Sequence, residues 1–375
     1  MQLDLDLIWM VLLALGVSLA ATLVLTPVVR RLAITVGAVD VPKDSRRMHK
    51  KPIPTIGGLA IFIGFLVSVL LFTEIDTQMR GILMGSMILV VLGVIDDIMD
   101  LPAKLKFVVQ FVAAGIAVGH GCVIQTLSNP NLFSQAPYLN LGWLSIPVTL
   151  LWIVALTNAV NFIDGLDGLA AGVSAISAGT MLVIALMYSE SSVAVVIAAL
   201  LGACLGFLPF NFNPAKIFMG DTGATFLGYL LACMSVQGLF KYYAIVSFAV
   251  PFVLLGLPIF DICFAFLRRI AHGKSPMTAD RSHMHHRLID MGFSQKQAVA
   301  IAYVISALLG LSAVVLASTN TSRALILVGA IVVVGAVGLK VVFNTKKHEQ
   351  AHKDEEKTPV AAAAAAEKEE TADGH

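Results

Sequence analysis

Apolar runs of 15 or more residues, separated by short polar stretches, recur along almost the whole chain. A helix of that length approaches the ~30 Å needed to cross a hydrocarbon core. Eleven runs qualify, near 7–29, 56–73, 81–95, 105–120, 146–160, 168–188, 192–210, 224–240, 243–267, 296–317 and 323–343. The pattern predicts an all-α polytopic membrane protein of about eleven transmembrane helices. The first run begins with Asp4 and Asp6 where a cleavable leader would be basic, and Arg30 and Arg31 follow it, so it is expected to stay in the membrane.

Composition agrees. Of 375 residues, 58% are hydrophobic and 13% charged, and the mean hydropathy is +0.86, whereas soluble domains carry roughly 25% charged residues. Soluble, disordered, fibrous and disulfide-rich classes are excluded on this ground. Cys122, Cys204, Cys233 and Cys263 are widely spaced and read as packing residues. The net charge of +1 gives no sign of a nucleic-acid partner. Placement of charge matters more: with the N-terminus outside, 22 Lys and Arg fall inside and only Arg80, Lys241 and Arg323 outside. That bias predicts an external N-terminus and a cytoplasmic C-terminus. After Asn344 the chain changes to Lys, Glu and His around the alanine run Ala361 to Ala366. Residues 1–343 are therefore read as the membrane domain and 344–375 as a disordered, charged and Ala-rich cytoplasmic tail.

In so apolar a chain the acidic and amide residues carry the information. Asp96, Asp97, Asp100, Asn158, Asn161, Asp164, Asp167, Asn211, Asn213 and Asp221 all fall at inside ends of spans or in the loops that follow. Carboxylates at membrane depth are costly without partners, so they mark function by default; the plainer alternative is that each caps a helix or binds an interfacial lysine. On a continuous helix Asp96, Asp97 and Asp100 converge on one face, and three like charges there call for a hard divalent ion such as Mg²⁺. Asn161-Phe-Ile-Asp164-Gly165-Leu166-Asp167-Gly168 is an oxygen-rich loop with two glycine hinges. In Asn211-Phe-Asn213-Pro-Ala-Lys-Ile-Phe-Met-Gly-Asp221, alternating Phe and Asn suit a nucleobase, and Asp221 precedes a helix N-terminus suited to phosphate or metal. Asp221 as a mere helix cap is the alternative. His283-Met-His285-His286-Arg287 lies in an inside loop; with no cysteine nearby it suits phosphate binding and proton handling better than zinc. The first inside loop, with Lys50 and Pro52-Ile-Pro-Thr55-Ile-Gly57-Gly58, builds a rigid turn where an anionic substrate fits.

Together these segments, in order from about Arg46 to Gly292, resemble the polyprenyl-phosphate N-acetylhexosamine-1-phosphate transferases, the family that includes MraY, WecA and TagO. The resemblance implies that Asp96 and Asp97 match the paired aspartates of the family, and Asn161, Asp164 and Asp167 its second acidic loop. Asp221 matches the metal carboxylate, with Asn161 as its companion, and His283, His285, His286 and Arg287 match the terminal histidine motif. It also places Lys50 and Thr55 near phosphates and Gly165, Leu166, Asp167 and Asn211 near uracil. Catalytic roles are expected of Asp96, Asp97, Asp164, Asp167 and His283, and substrate contacts of His285, His286 and Arg287. The His-Met-His-His-Arg form is similar to the WecA and TagO branch, which favours UDP-GlcNAc over UDP-MurNAc-pentapeptide as donor. The implied reaction moves GlcNAc-1-phosphate onto undecaprenyl phosphate and releases UMP, with Mg²⁺ or Mn²⁺ as cofactor. It would take place at the cytoplasmic face of the bacterial inner membrane and supply cell-envelope polysaccharide synthesis. Direct attack by the lipid phosphate is preferred over an aspartyl-phosphate intermediate. A homodimer stays open as the assembly. A membrane prenyltransferase or an ion-coupled transporter are the competing classes; the first leaves the histidine loop idle, and the second needs its acids at midplane.

Overall fold

The structure, a computed structural model, describes residues 5–42, 51–128, 138–238, 255–261 and 284–318, with the isolated positions 252, 263 and 329. Helices dominate because, in lipid, every backbone polar group must be satisfied within the segment. Eight of them, α1 (Leu5–Val36), α2 (Gly58–Phe72), α3 (Thr77–Met99), α4 (Ala103–Gly119), α5 (Ser145–Ile163), α6 (Leu169–Met187), α7 (Ser191–Asn211) and α8 (Gly220–Gly238), match the first eight apolar runs. A short α9 (Met284–Asp290) and a long α10 (Gln295–Ser318) follow, the latter matching the tenth run. The eleventh run, 323–343, the tail 344–375 and most of the ninth run, 243–267, lie outside the described residues.

Among the described residues six helices, α1, α3, α5 with the 3₁₀ turn before it, α6, α7 and α10, are long and apolar enough to cross a membrane, and the chain is an integral membrane protein. Two features differ from the sequence reading. The first helix runs to Val36 and carries Arg30 within it. Asp100 does not extend α3; it adopts a left-handed conformation with φ 53° as the helix ends at Met99. Pro102 explains the break, since it biases Leu101 away from the helical region. The expected three-carboxylate face of Asp96, Asp97 and Asp100 therefore does not form.

Small residues let the helices approach closely. A Cβ at Gly202 would lie 2.2 Å from the Leu15 carbonyl oxygen and one at Gly206 2.5 Å from that of Leu19, so α7 presses directly on α1. Ser68 of α2 donates to the Ala14 carbonyl at 2.7 Å, joining the third member of this layer. Helix α8 is the centre of the bundle, with every residue from Thr222 to Gln237 buried. Phe226 packs on Phe62 and Phe65 of α2 with ring centroids 5.3 and 5.5 Å away. On its other side Ser235 accepts from the Trp152 indole at 2.9 Å. The Gln110 and Asn158 amides pair across α4 and α5, which satisfies two polar groups in an apolar setting.

Among the described residues two antiparallel pairs of short strands join the helices, β1 (Val39–Asp40) with β2 (Ile53–Pro54), and β3 (Thr126–Ser128) with β4 (Tyr138–Asn140). The first pair lies at the end of the bundle where α1, α3, α5 and α7 finish and α2, α4, α6, α8 and α10 begin. All the loops that carry the acidic motifs meet there.

Candidate active site

An open cavity of about 1260 Å³ occupies that end. Its floor is fixed by backbone pairing between two distant segments: Phe218 N–H donates to the Pro54 carbonyl, and Gly57 and Gly58 donate to those of Phe218 and Met219, all at 2.8 to 3.0 Å. Gly57 and Gly58 are required for this approach, since a Cβ on either would fall within 2.6 Å of residues 218 or 223. Thr55 lines the cavity, but its hydroxyl donates to the Ala38 carbonyl at 3.0 Å. Arg30 reaches over from α1 to the Lys216 carbonyl at 3.0 Å.

The acidic residues divide by task. Asp97 is spent on α8: its Oδ1 accepts from Asp221 N–H at 2.9 Å, and its Oδ2 from Thr222 N–H at 3.2 Å and the Thr222 hydroxyl at 2.6 Å. A carboxylate set against the free N–H groups of a helix start is favourable both as a cap and toward the helix dipole. Gly220, with φ 71°, makes room for it; a Cβ there would lie 2.3 Å from Asp97 Oδ2. Asp97 thereby orients the next residue, Asp221, into the cavity.

Asp96 and Asp221 face each other across an ammonium group. Lys106 Nζ donates to Asp96 Oδ2 and to Asp221 Oδ2, both at 2.9 Å. The other oxygen of each is held by a fixed neutral donor: Leu101 N–H at 2.8 Å for Asp96, and the Asn161 amide at 3.0 Å for Asp221. Asp164 follows α5 and lines the cavity, where burial, and then the charges of Asp221, Asp97 and Asp167, push its carboxyl up to about 8.

The amide residues of the second and third motifs act as clamps. Asn211 is buried, its carbonyl accepting from Gly168 N–H at 3.1 Å and its amide donating to Ile217 at 3.0 Å. Asp167 Oδ2 accepts from Asn213 at 2.8 Å and Ala215 N–H at 3.0 Å. Asn213 in turn donates to Gln295 at 2.7 Å, tying the start of α10 to the same loop.

Of the residues singled out from sequence, Thr55, Asp96, Asp97, Asn161, Asp164, Gly165, Leu166, Asp167, Asn211 and Asp221 are brought together around this cavity. Lys50 and His283 lie outside the described residues, as do the side chains of His285 and His286 in α9. Arg287 is exposed on α9 and is not among the cavity-lining residues described. Lys106, Arg30, Lys51, Lys216 and Gln295 line the cavity without having been singled out. The sequence signal for Lys106 is a lysine one turn into a span that begins after a Pro break, ten residues beyond Asp96.

Could this site take a divalent cation? Among the described residues no three acidic, histidine or cysteine side chains converge as a ready-made metal cage. Mg²⁺ does not need one, since it is commonly held by one or two carboxylates together with substrate phosphates and water. Asp96 and Asp221 supply two hard oxygens already arranged about a positive charge, and Asn161 leaves its carbonyl oxygen as a third. The donor set fits.

Residues 79–239 match the model of the glycosyl transferase family 4. The chain is 43% identical over 327 residues to a Bacillus subtilis (strain 168) protein named a probable undecaprenyl-phosphate N-acetylglucosaminyl 1-phosphate transferase, covering 86% of this chain and 89% of that one. It is 34% identical over 349 residues to a Mycobacterium tuberculosis decaprenyl-phosphate N-acetylglucosaminephosphotransferase, covering 83% and 84%. With a Yersinia pestis undecaprenyl-phosphate alpha-N-acetylglucosaminyl 1-phosphate transferase it shares 29% over 294 residues, 77% of this chain and 79% of the relative.

Proposed function

The chain belongs to the polyprenyl-phosphate N-acetylglucosamine-1-phosphate transferases of glycosyl transferase family 4, and we propose that it transfers GlcNAc-1-phosphate from UDP-GlcNAc to undecaprenyl phosphate. The products are undecaprenyl-diphosphate-GlcNAc and UMP, made at the cytoplasmic face of the bacterial inner membrane as the first lipid-linked step of an envelope polysaccharide. One observation carries the reading: Asp96, Asp221, Asn161 and Lys106 converge in an open cavity at one end of a membrane-spanning bundle. Ile98, which lines the cavity, and Met99, at the end of α3, are exposed apolar side chains, which suits a lipid acceptor.

In this reaction an oxygen of the lipid phosphate attacks the β-phosphorus of UDP-GlcNAc, and the bond from that phosphorus to the α–β bridging oxygen breaks. UMP departs with the bridging oxygen. A phosphate monoester has a second pKa of about 6, so the nucleophile is largely dianionic at neutral pH and needs little help from a base. The residues have to gather anions, hold them in line and absorb the charge that shifts to the leaving phosphate. Arg30, Lys51, Lys106 and Lys216 give the cavity its positive lining. Asp221 and Asn161 would hold Mg²⁺, with Asp96 opposite; when bound, the ion neutralises the diphosphate and polarises its phosphorus. Asp97 fixes the start of α8 and thus the direction of Asp221. Because both Asp97 oxygens are occupied, direct attack by the lipid phosphate is favoured over an aspartyl-phosphate at that position.

Detergent-purified protein supplied with undecaprenyl phosphate and Mg²⁺ should release UMP with UDP-GlcNAc and not with UDP-MurNAc-pentapeptide. Release only with the pentapeptide donor would overturn the choice of sugar. No UMP with either donor or with other UDP-N-acetylhexosamines would overturn the reaction.

A further inference from the structure

The ammonium of Lys106 lies between Asp96 and Asp221, the two carboxylates that would hold a divalent cation. The tight connection between α3 and α4 puts it there: Leu101 N–H binds Asp96 Oδ1, Pro102 starts α4, and Lys106, in the first turn, folds back over Asp96. Asp96 and Asp221 come from helices 125 residues apart in sequence, and each has one oxygen committed to a neutral donor and the other turned to the same nitrogen. Two carboxylates in such a position repel unless a cation lies between them. The lysine is not sealed in: its side chain keeps 27% of its surface exposed and that of Asp221 28%, against 7% for Asp96. An ammonium is a compact charge on a flexible stem, able to leave along the cavity without disturbing the backbone.

We propose that Lys106 is a displaceable internal counter-ion, which holds Asp96 and Asp221 together in the metal-free protein and releases Asp221 when a divalent cation binds. This rests on the metal reading given above. A divalent ion competes for the same Oδ2 atoms and repels the ammonium, so the two cations exchange. The lysine thus keeps the site assembled between turnovers and lowers its affinity for the metal, which makes Lys106 a positioning residue that acts through two carboxylates.

Mn²⁺ binding to the purified full chain, followed by electron paramagnetic resonance, tests this without reference to turnover. Lys106→Met should bind Mn²⁺ at least tenfold more tightly than wild type. In EDTA it should melt at a lower temperature than wild type, and saturating Mn²⁺ should close that gap. Equal or weaker Mn²⁺ binding by Lys106→Met, or the same melting deficit with and without Mn²⁺, would show a merely structural lysine and overturn the exchange. Absence of Mn²⁺ binding to wild type and variant alike would overturn the metal reading itself, a distinguishable failure. If Lys106→Met does not fold, reductive ¹³C-methylation of the wild type serves: the dimethyl-lysine resonance missing from Lys106→Arg should shift on adding Mg²⁺, and an unmoved signal would refute the exchange.

Discussion

Gly58→Ala is the smallest change that should separate the two halves of the active site. Gly58 opens α2 against the first turn of α8, and a Cβ there would lie 2.0 Å from Gly223 N and 2.1 Å from its Cα. Both obstacles are backbone, so no rotamer relieves them. Ordinary contact begins at 3.4 Å, so α2 and α8 must part by about 1.4 Å, next to Thr222 and Asp221. Overpacking of this kind costs about 1–3 kcal/mol. A misplacement of about 1 Å at reacting groups can cost ~10²-fold in rate, so kcat/KM should fall by about two orders of magnitude while the protein still inserts and purifies. UMP release per mole of folded protein, with melting temperature measured in parallel, is the assay. Gly115→Ala is the control: nothing lies within 4 Å of its Cβ position in α4, and alanine in a helix interior gains up to ~1 kcal/mol over glycine. Gly58→Ala with more than half of wild-type turnover would refute the claim that this crossing sets the position of Asp221.

Other substitutions probe the division of labour among the carboxylates. Asp221→Asn should abolish turnover in a protein that still elutes as folded, and full activity would remove Asp221 from the site. Asp97→Asn turns an amide N–H₂ toward the donors of α8 and loses charge-assisted hydrogen bonds of about 1.5–3 kcal/mol each; melting temperature and turnover should fall together. Loss of turnover with unchanged melting would instead assign Asp97 to the chemistry. The raised pKa of Asp164 has a definite sign. A carboxyl whose folded pKa lies above its unfolded value contributes stability fully present below the unfolded value of about 4, and lost as pH rises through the folded value of about 8. In EDTA the wild type should therefore lose melting temperature between pH 5 and pH 9 more steeply than Asp164→Asn, and parallel slopes would argue against it.

What the sequence made legible follows from the constraints of lipid. Apolar runs in a bilayer have one solution, so α1 to α8 and α10 could be located from hydropathy, and alternation of crossings put Asp96, Asn161 and Asp221 at one end. What remained hidden is non-local. Nothing near Asp97 indicates that its oxygens serve the start of a helix more than a hundred residues later. Pairing of Pro54 with Phe218 joins two loops through backbone atoms, which carry no sequence mark. Asn211 and Asp167 line the cavity as the sequence suggests, and what it does not show is that their hydrogen bonds also tie the surrounding loops together. Helical periodicity alone sets Asp100 beside Asp96 and Asp97, whereas Pro102 enforces a helix end before it. Lys106 reads in the sequence as an orienting charge, and only the fold brings its ammonium to 2.9 Å from two carboxylates.

The central claim is that a phosphate travels with the sugar. UDP-GlcNAc labelled with ³²P at the β-phosphorus, incubated with the protein, undecaprenyl phosphate and Mg²⁺, should transfer its label to the lipid phase and leave unlabelled UMP in the water. Label retained in the aqueous phase as UDP, with GlcNAc on the lipid, would mean transfer of the sugar alone and would contradict the account.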